Sequence, residues 1–564
     1  MTLQVPLALL SCYLIFLMYR DNAGENILIG VGLILASSVI IVLSAFLMML
    51  VAGSPALRLA MMAGVTFGSM WLARASKLGE PAGLLGFIIV FILSAYDYTG
   101  MPELVLRALT WIWMVVFVPM VLLAILGVFA GRSPYRLVQK RLHERLLVSA
   151  RLLDLEGGAL DEADRLLQEG NVAGENHLRM ARFLGQVSKE EHDHLAHRLS
   201  ASFQLVAAAQ STAEVGAHEP QLSQILYHIS QGEAVKIPQG SGPALRAIRA
   251  YIEPSEEIIP SLKSEDKEPF LNHDAFKNPA HIRFSLKVLL AVFITYSLYT
   301  SIGLFDIHTA MVTCFVVALS TSGDTLQKST LRIIGCLVGV AMGVFSVYFV
   351  VPHLGDPGHL FLLIATGSLI SGWVATGSYR VQYAGFQMAL AFFICVLPSS
   401  PFNFGPNYDL ADAGYRIIGI LVGIVTIGII FSSLWPERSG VTRRLKTDQA
   451  LDSMAKVLRG SGDLETVYRH ISAAKHADEV IKFEWPRPAG EAYLSGSQRL
   501  SVTLNLVRLI PLISTASAVP LAAALTAASR HERSNLTEAS AGNDVVLRRA
   551  LALAITLHEE GEEE

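Results

Sequence analysis

Residues 305–343 read "FDIHTAMVTCFVVALSTSGDTLQKSTLRIIGCLVGVAMG". Asp306 and His308 open an apolar run. Asp324, Lys328 and Arg332 then lead into a second one, in which Gly335, Gly339 and Gly343 recur every four residues. That spacing puts the glycines on one helix face and lets a neighbouring helix approach closely, as membrane helices require. Charge is costly in hydrocarbon. The stretch therefore reads as two crossings with charges at their openings: Asp306 and His308 at one mouth, Asp324, Lys328 and Arg332 at the other.

The rest of the chain supports this. Of 564 residues, 52% are hydrophobic and 16% charged, against about 25% charged in average soluble domains. The net charge of −4 gives no reason to expect a nucleic-acid partner. Cys12, Cys314, Cys336 and Cys395 stand singly in apolar runs, as small buried hydrophobes do, not as a disulfide frame or metal site. The first apolar run lacks a preceding basic region and a cleavage site, so it reads as a retained span. No Walker A motif, dinucleotide fingerprint or HExxH occurs, so the chain calls for no cofactor and does not read as an enzyme.

A span needs roughly 17–25 mostly apolar residues. Residues 1–131 hold five candidates, near 4–19, 27–51, 57–73, 82–97 and 106–130. Residues 283–436 hold six, near 285–303, 305–320, 332–351, 360–376, 382–398 and 413–435. Between and after them lie polar blocks with helical periodicity, 132–282 and 437–564. The stretch 509–528 is apolar but Ala-rich and carries Pro511 and Pro520; it reads as a buried soluble helix. The expected fold is an all-α polytopic membrane protein, two transmembrane sets alternating with two helical domains. Lys and Arg collect in cytoplasmic loops. Arg438, Arg443, Arg444 and Lys446 follow the last span, while 303–306, 352–359 and 399–412 contain neither. Both polar blocks are thus expected in the cytoplasm. Five spans before a cytoplasmic block leave the first set one span short of the second.

An internal repeat stands out. "RIIGCLVG" begins at Arg332 and "RIIGILVG" at Arg416. Gly335, Gly339, Gly419 and Gly423 are helix-packing positions. Each arginine has an acid at helical spacing: Asp324, Lys328 and Arg332 step by four, and Asp412 precedes Arg416 by four, a spacing that favours pairing on one helix face.

The segments "NPAHIRFSLKVLLAVFITYSLY", "DIHTAMVTCFVVA", "QKSTLRIIGCLVG", "GWVATGSYRVQYAGFQMALAF" and "AGYRIIGILVGIVTIGIIFSSLWPE" resemble the fusaric acid resistance (FUSC) family of bacterial inner-membrane exporters, relatives of the aromatic acid exporters. The resemblance is strong over the second membrane set and looser over the first, through "ARASKLG" and "PELVLRALTWIWMVVFVPMVLLAILGV". It implies two six-span halves, each followed by a cytoplasmic helical domain; this chain begins at the equivalent of the second span of the first half. It also implies proton-coupled export of aromatic carboxylates or amphiphilic drugs with a periplasmic adaptor (membrane fusion) protein and an outer-membrane channel, in a bilayer of inner-membrane lipid. A homo-oligomer is left open. A passive anion channel of related architecture is the alternative.

For such an exporter, titratable groups at the membrane are the coupling candidates. Asp306 and His308 lead, since His titrates near neutral pH, followed by Asp412 and Asp409. Arg332 and Arg416 are natural partners for a carboxylate. Gln382, Gln387 and Tyr379 would line a path, or else bond between helices. "EEHDHLAHRL" (190–199) offers His192, His194 and His197, but one helix face does not supply three convergent metal ligands.

Overall fold

The structure is a computed structural model and describes residues 8–240, 242–253, 269–378, 380–397, 410–485, 490–513, 518–532 and 544–562. Among these the chain is all-α, and its one extended pairing is an isolated bridge between Ser76 and Leu271. The first helices are α1 (Ala8–Met18), α2 (Ala23–Val51), α3 (Pro55–Ala75), α4 (Glu80–Thr99) and α5 (Pro102–Ala130). Polar helices follow: α6 (Pro134–Leu153), α7 (Ala159–Glu169), α8 (Val172–Phe183), α9 (Lys189–Glu214), α10 (Pro220–Ser230) and α11 (Pro243–Ile252). A second apolar series comprises α12 (Pro279–Ile302), α13 (Thr309–Val317), α14 (Ser322–Phe345), α15 (Pro357–Gly377), α16 (Gln382–Val396) and α17 (Ala411–Ser433). The last polar helices are α18 (Ser439–Leu458), α19 (Leu464–Ile481), α20 (Gly490–Val507), α21 (Ala518–Ser529) and α22 (Val545–Glu562).

These form two compact units. One comprises 1–131, 268–437 and 483–486; the other comprises 132–267, 438–482 and 487–564. Among the described residues, eight helices are long and apolar enough to cross a membrane: α2–α5, α12, α14, α15 and α17. Local chemistry sets their ends. Proline opens α3, α5, α12 and α15 in the first turn, where its missing N–H costs nothing. Ser54, Asn278, Thr321 and Asp356 cap α3, α12, α14 and α15 by accepting backbone N–H groups. Left-handed Gly100 and Gly303 end α4 and α12, a conformation glycine adopts without strain.

The span read from 332 starts ten residues earlier, at Ser322. Asp324, Lys328 and Arg332 are therefore helical, and Arg332 lies within α14, not at its mouth. The segments read near 305–320 and 382–398 form short helices, α13 and α16, with 9 and 15 residues. At 1.5 Å per residue these reach about 14 and 22 Å, short of the ~30 Å hydrocarbon thickness.

In the membrane unit, α2 lies along α5, where a Cβ on Gly30 would stand 2.8 Å from the Met120 carbonyl oxygen and Trp113 Nε1 donates to Ser38 Oγ at 2.9 Å. One apolar cluster joins the two series: Met62, Met70, Leu93 and Leu109 of the first pack with Val288, Met311, Cys314 and Phe431 of the second. The polar helices likewise share a single core. Leu142, Leu199 and Phe203 lie with Leu451, Tyr468, Leu525 and Leu551, and Arg508 pairs with Asp164 at 2.6 Å. The 509–528 stretch contributes a short turn, Ile510–Leu512, and the 12-residue α21, whose Leu521 and Leu525 are buried in this core. In α9, Ser188 Oγ accepts the Glu191 N–H at 3.2 Å, one half of a capping box. His194 is exposed and His197 buried, and no metal-binding group of His, Cys, Asp and Glu occurs among the described residues.

Candidate functional site

The second apolar series falls into two triplets, α12–α13–α14 and α15–α16–α17. Each has a short middle helix and a glycine-striped third helix, and the stripes are exchanged. A Cβ on Gly335 would meet the Ala384 carbonyl and Gln387; one on Gly339 would meet the Met388 carbonyl and Ala391, so α14 seats on α16. A Cβ on Gly419 would meet Thr309 and the Ile307 carbonyl; one on Gly423 would meet the Ala310 carbonyl and Thr313, so α17 seats on α13. The two copies of the repeat thus lock the short helix of the opposite triplet, with backbones in contact where side chains are absent. After α13 the chain runs non-helically, and Thr325 Oγ1 accepts the Leu319 N–H at 3.1 Å and donates to the Thr321 carbonyl at 2.9 Å, with the Leu319 carbonyl 3.3 Å away. Irregular backbone at membrane depth needs such internal partners.

Arg332 lies in the α14–α16 seam, 2% exposed. Its Nη1 donates to Tyr383 Oη at 3.0 Å and Gln387 Oε1 at 3.2 Å, while its buried Nε has no partner. Among the described residues its partners are a phenol and an amide, not a carboxylate. Arg416 stands at the matching position of α17, where its carbonyl accepts Thr309 Oγ1 at 3.3 Å. Its side chain lines a cavity of about 10 Å³ with Cys336, Val340, Ala391 and Ile394, room for about one water. Arg332, Tyr13 of α1 and His308 all lie within electrostatic reach of Arg416. Two cations are thus gathered in one part of the bundle, which suits an anion.

Other expected residues fall elsewhere. Lys328 pairs with Glu80 at 2.8 Å, not with Asp324, whose carboxylate accepts Thr321 Oγ1 at 2.7 Å. His308 is half-buried, its Nδ1 2.9 Å from the Phe305 carbonyl and its ring 5.5 Å from Phe91. Asp306 is exposed. Gln382 is exposed at the start of α16 and takes no part in the Arg332 contacts, in contrast to Gln387. Tyr379 and Asp409 lie outside the described residues, as does the side chain of Asp412. The sequence reading missed Tyr383, although it precedes Gln387 by four and so shares its face.

Comparison with known proteins bears on this bundle. Residues 281–464 match the Fusaric acid resistance protein family. That segment is a FUSC-family domain. The chain is 28% identical to Multidrug resistance protein MdtO of Escherichia coli O6:H1 over 511 residues, covering 85% of this chain and 73% of that protein. It is 28% identical to MdtO of E. coli K12 over 489 residues, 81% and 70% of the two chains. Inner membrane protein YccS of E. coli K12 is 30% identical over 159 residues, 28% of this chain and 20% of YccS. No solved structure matches. With its apolar helices, the chain is an MdtO-like, multi-pass inner-membrane transporter.

Besides Lys328–Glu80, two further polar ties join the FUSC domain to the first helix series. At one, Glu437 joins Arg74 of α3, with one contact at 2.8 Å and a second shorter one. Its carbonyl accepts Ser322 N and Oγ at 3.0 and 3.1 Å, and Lys287, 1% exposed, reaches the Trp435 carbonyl at 3.2 Å. At the other, Arg58 of α3 ion-pairs with Asp97 of α4, whose second oxygen accepts Tyr296 Oη of α12. Arg58 also covers the Tyr96 ring at 4.5 Å. Asp97 closes an apolar run in the sequence, where a terminal charge passes for a loop residue.

Proposed function

We propose that this chain is the inner-membrane efflux component of a tripartite pump, exporting aromatic carboxylates or amphiphilic drugs at the expense of the proton gradient. A periplasmic adaptor and an outer-membrane channel would complete the pump. The observation that carries this is Arg332. A permanently charged group, 2% exposed within an apolar helix and bonded to neutral side chains, is expensive. An anionic substrate supplies the missing charge and matches the guanidinium fork. Gln387 and Tyr383 hold that fork in place, and Arg416 offers a second one.

The exchanged triplets support alternating access. If the short helix of each triplet carries the chain back through the bundle, the second triplet would be inverted relative to the first, with Arg332 and Arg416 brought near each other from opposite sides, as in transporters built from inverted repeats with broken helices. The likeness to MdtO, a multidrug resistance protein, supports drugs as substrates. The Lys and Arg distribution supports a cytoplasmic position for the polar unit. By sequence, Asp306, His308, Asp412 and Asp409 are coupling candidates.

The test is uptake of labelled benzoate into inverted membrane vesicles, with and without a proton gradient. Gradient-driven uptake by the wild type, lost in Arg332→Gln at equal abundance, is the expected result. Uptake indifferent to the gradient overturns coupling and favours a passive anion channel.

A further inference from the structure

Asp97 differs from every other acid of the apolar helices. Glu25, Glu80, Glu103 and Asp324 stand in first turns, as Asp412 does by its place in α17; there the helix dipole favours an anion. Asp97 stands in the last turn of α4, the end that disfavours one. Its side chain is 19% exposed and that of its partner Arg58 is 5% exposed. Arg58 is tied to it through Nη2, while its buried Nε and Nη1 have no partner. Within the membrane unit, this carboxylate joins α3 and α4 to α12 of the FUSC domain.

We propose that Asp97 is the residue that carries the coupled proton, with Arg58 and Tyr296 as the groups that sense its charge. This rests on the exporter reading above. Protonation forms an O–H bond on the Asp97 carboxylate with a proton taken from water on one side of the membrane; release to water on the other side breaks it, and no other bond changes. In the charged state Asp97 accepts from both Arg58 and Tyr296, closing α3 and α4 onto α12. In the neutral state Arg58 loses its counter-charge and keeps the Tyr96 face, so this packing weakens. Because a buried pair that loses one charge is strongly disfavoured, the neutral state is stable only in a packing that opens Arg58 to water, so protonation and packing are linked as a coupled transporter needs. The groups that face Asp97 are Arg58 from α3 and Tyr296 and Tyr299 from α12, with Tyr96 beneath Arg58 and Ser94 of α4 bonded to Tyr299. His308, at the start of α13, reaches α4 through Phe91.

The experiment uses the full chain in proteoliposomes with labelled benzoate, and reads two activities: accumulation driven by an imposed pH gradient, and exchange without one. Asp97→Asn is expected to lose accumulation about tenfold or more, within the range of measured coupling energies, and to retain exchange. Asp97→Glu is expected to recover accumulation. A wild type active in both assays with an equally active Asp97→Asn overturns the Asp97 assignment alone. A wild type inert in both assays overturns the exporter reading and the coupling with it. Should Asp97→Asn fail to fold, pH-difference infrared spectra of the wild type and Asp97→Glu decide. A carboxyl C=O band that shifts in the glutamate variant supports the assignment, and its absence overturns it.

Discussion

Arg145 and Arg332 are both buried guanidiniums without a directly bound carboxylate, and the two units treat them differently. In the polar unit, Arg145 is fully buried and both of its Nη atoms are held by fixed acceptors, its Nε alone lacking one. Its Nη1 donates to Asn171 Oδ1 at 2.7 Å, Ser202 Oγ at 3.0 Å and the Leu199 carbonyl at 3.1 Å, and its Nη2 donates to the Gly170 carbonyl at 2.7 Å. Asn171 passes the charge on to Glu465, at 2.7 and 2.9 Å. Burial pushes the Arg145 pKa down to about 9, still above neutral, so it stays charged and closes a structural knot between the two polar blocks. Among the described residues, Arg332 donates from Nη1, to two side chains. A guanidinium held on both Nη atoms, partly by backbone carbonyls, is committed to the fold, whereas one held by a phenol and an amide can change partners.

The comparison breaks if the two arginines fail alike. Arg145→Met leaves Asn171 Oδ1 without a donor, while the Gly170 and Leu199 carbonyls keep Arg141 and Ser202, which is expected to cost about 1–3 kcal/mol of stability. Thermal unfolding of the purified chain should show it, with transport falling only in step with folded protein. Arg332→Lys keeps the charge but loses the planar fork. It is expected to leave the unfolding temperature within a few degrees and lower kcat/KM for benzoate by about 30-fold, or about 2 kcal/mol. An Arg332→Lys protein that unfolds early and transports normally would put Arg332 in the same class as Arg145.

The glycine stripes sharpen the contrast on a smaller scale. A Cβ on Gly339 collides with the Met388 carbonyl, which cannot give, while one on Gly428 meets only Leu326 Cδ2, at 3.5 Å. Gly339→Ala is expected to cost about 1–3 kcal/mol through overpacking, and Gly428→Ala to stay within about 0.5 kcal/mol. Paired unfolding curves decide this. Equal effects would mean that the stripe matters for helix propensity and not for the seam.

These cases mark what the sequence made legible. Apolar runs, the repeat and the glycine stripe follow from local composition, because lipid imposes one solvent on every residue of a span. The exchange of stripes between triplets was hidden, since it depends on which short helix each stripe meets. Arg332 was read at a mouth because Asp324 and Lys328 mimic a loop; Thr321 and Glu80 absorb those charges and let the helix start ten residues earlier. Asp97 and Arg58 are 39 residues apart in sequence, and Arg74 and Glu437 are 363 apart. Pairings at such separations leave no periodic trace.

The smallest expected effect lies in the polar unit and tests whether its buried ionisable groups are all structural. His197 is buried in α9 with both ring nitrogens unpartnered. Burial, and then the neighbouring His194, hold its pKa below the ordinary 6.5. In the folded chain it stays neutral where the unfolded chain already binds a proton. The unfolded state therefore holds more protons in the window from the lowered pKa up to 6.5, and stability rises with pH across it. The contribution is complete above about pH 6.5 and is lost as the pH falls toward the folded value. His197→Leu fills the same space without a titrating group. It is expected to flatten the acid side of the stability profile just below pH 6.5 and to leave stability near pH 8 little changed. Unfolding curves of both proteins across that window provide the check. A variant profile parallel to the wild type's would mean that the imidazole reaches water when it protonates, and that this unit, like the Arg332 seam, contains a group that is not committed to the fold.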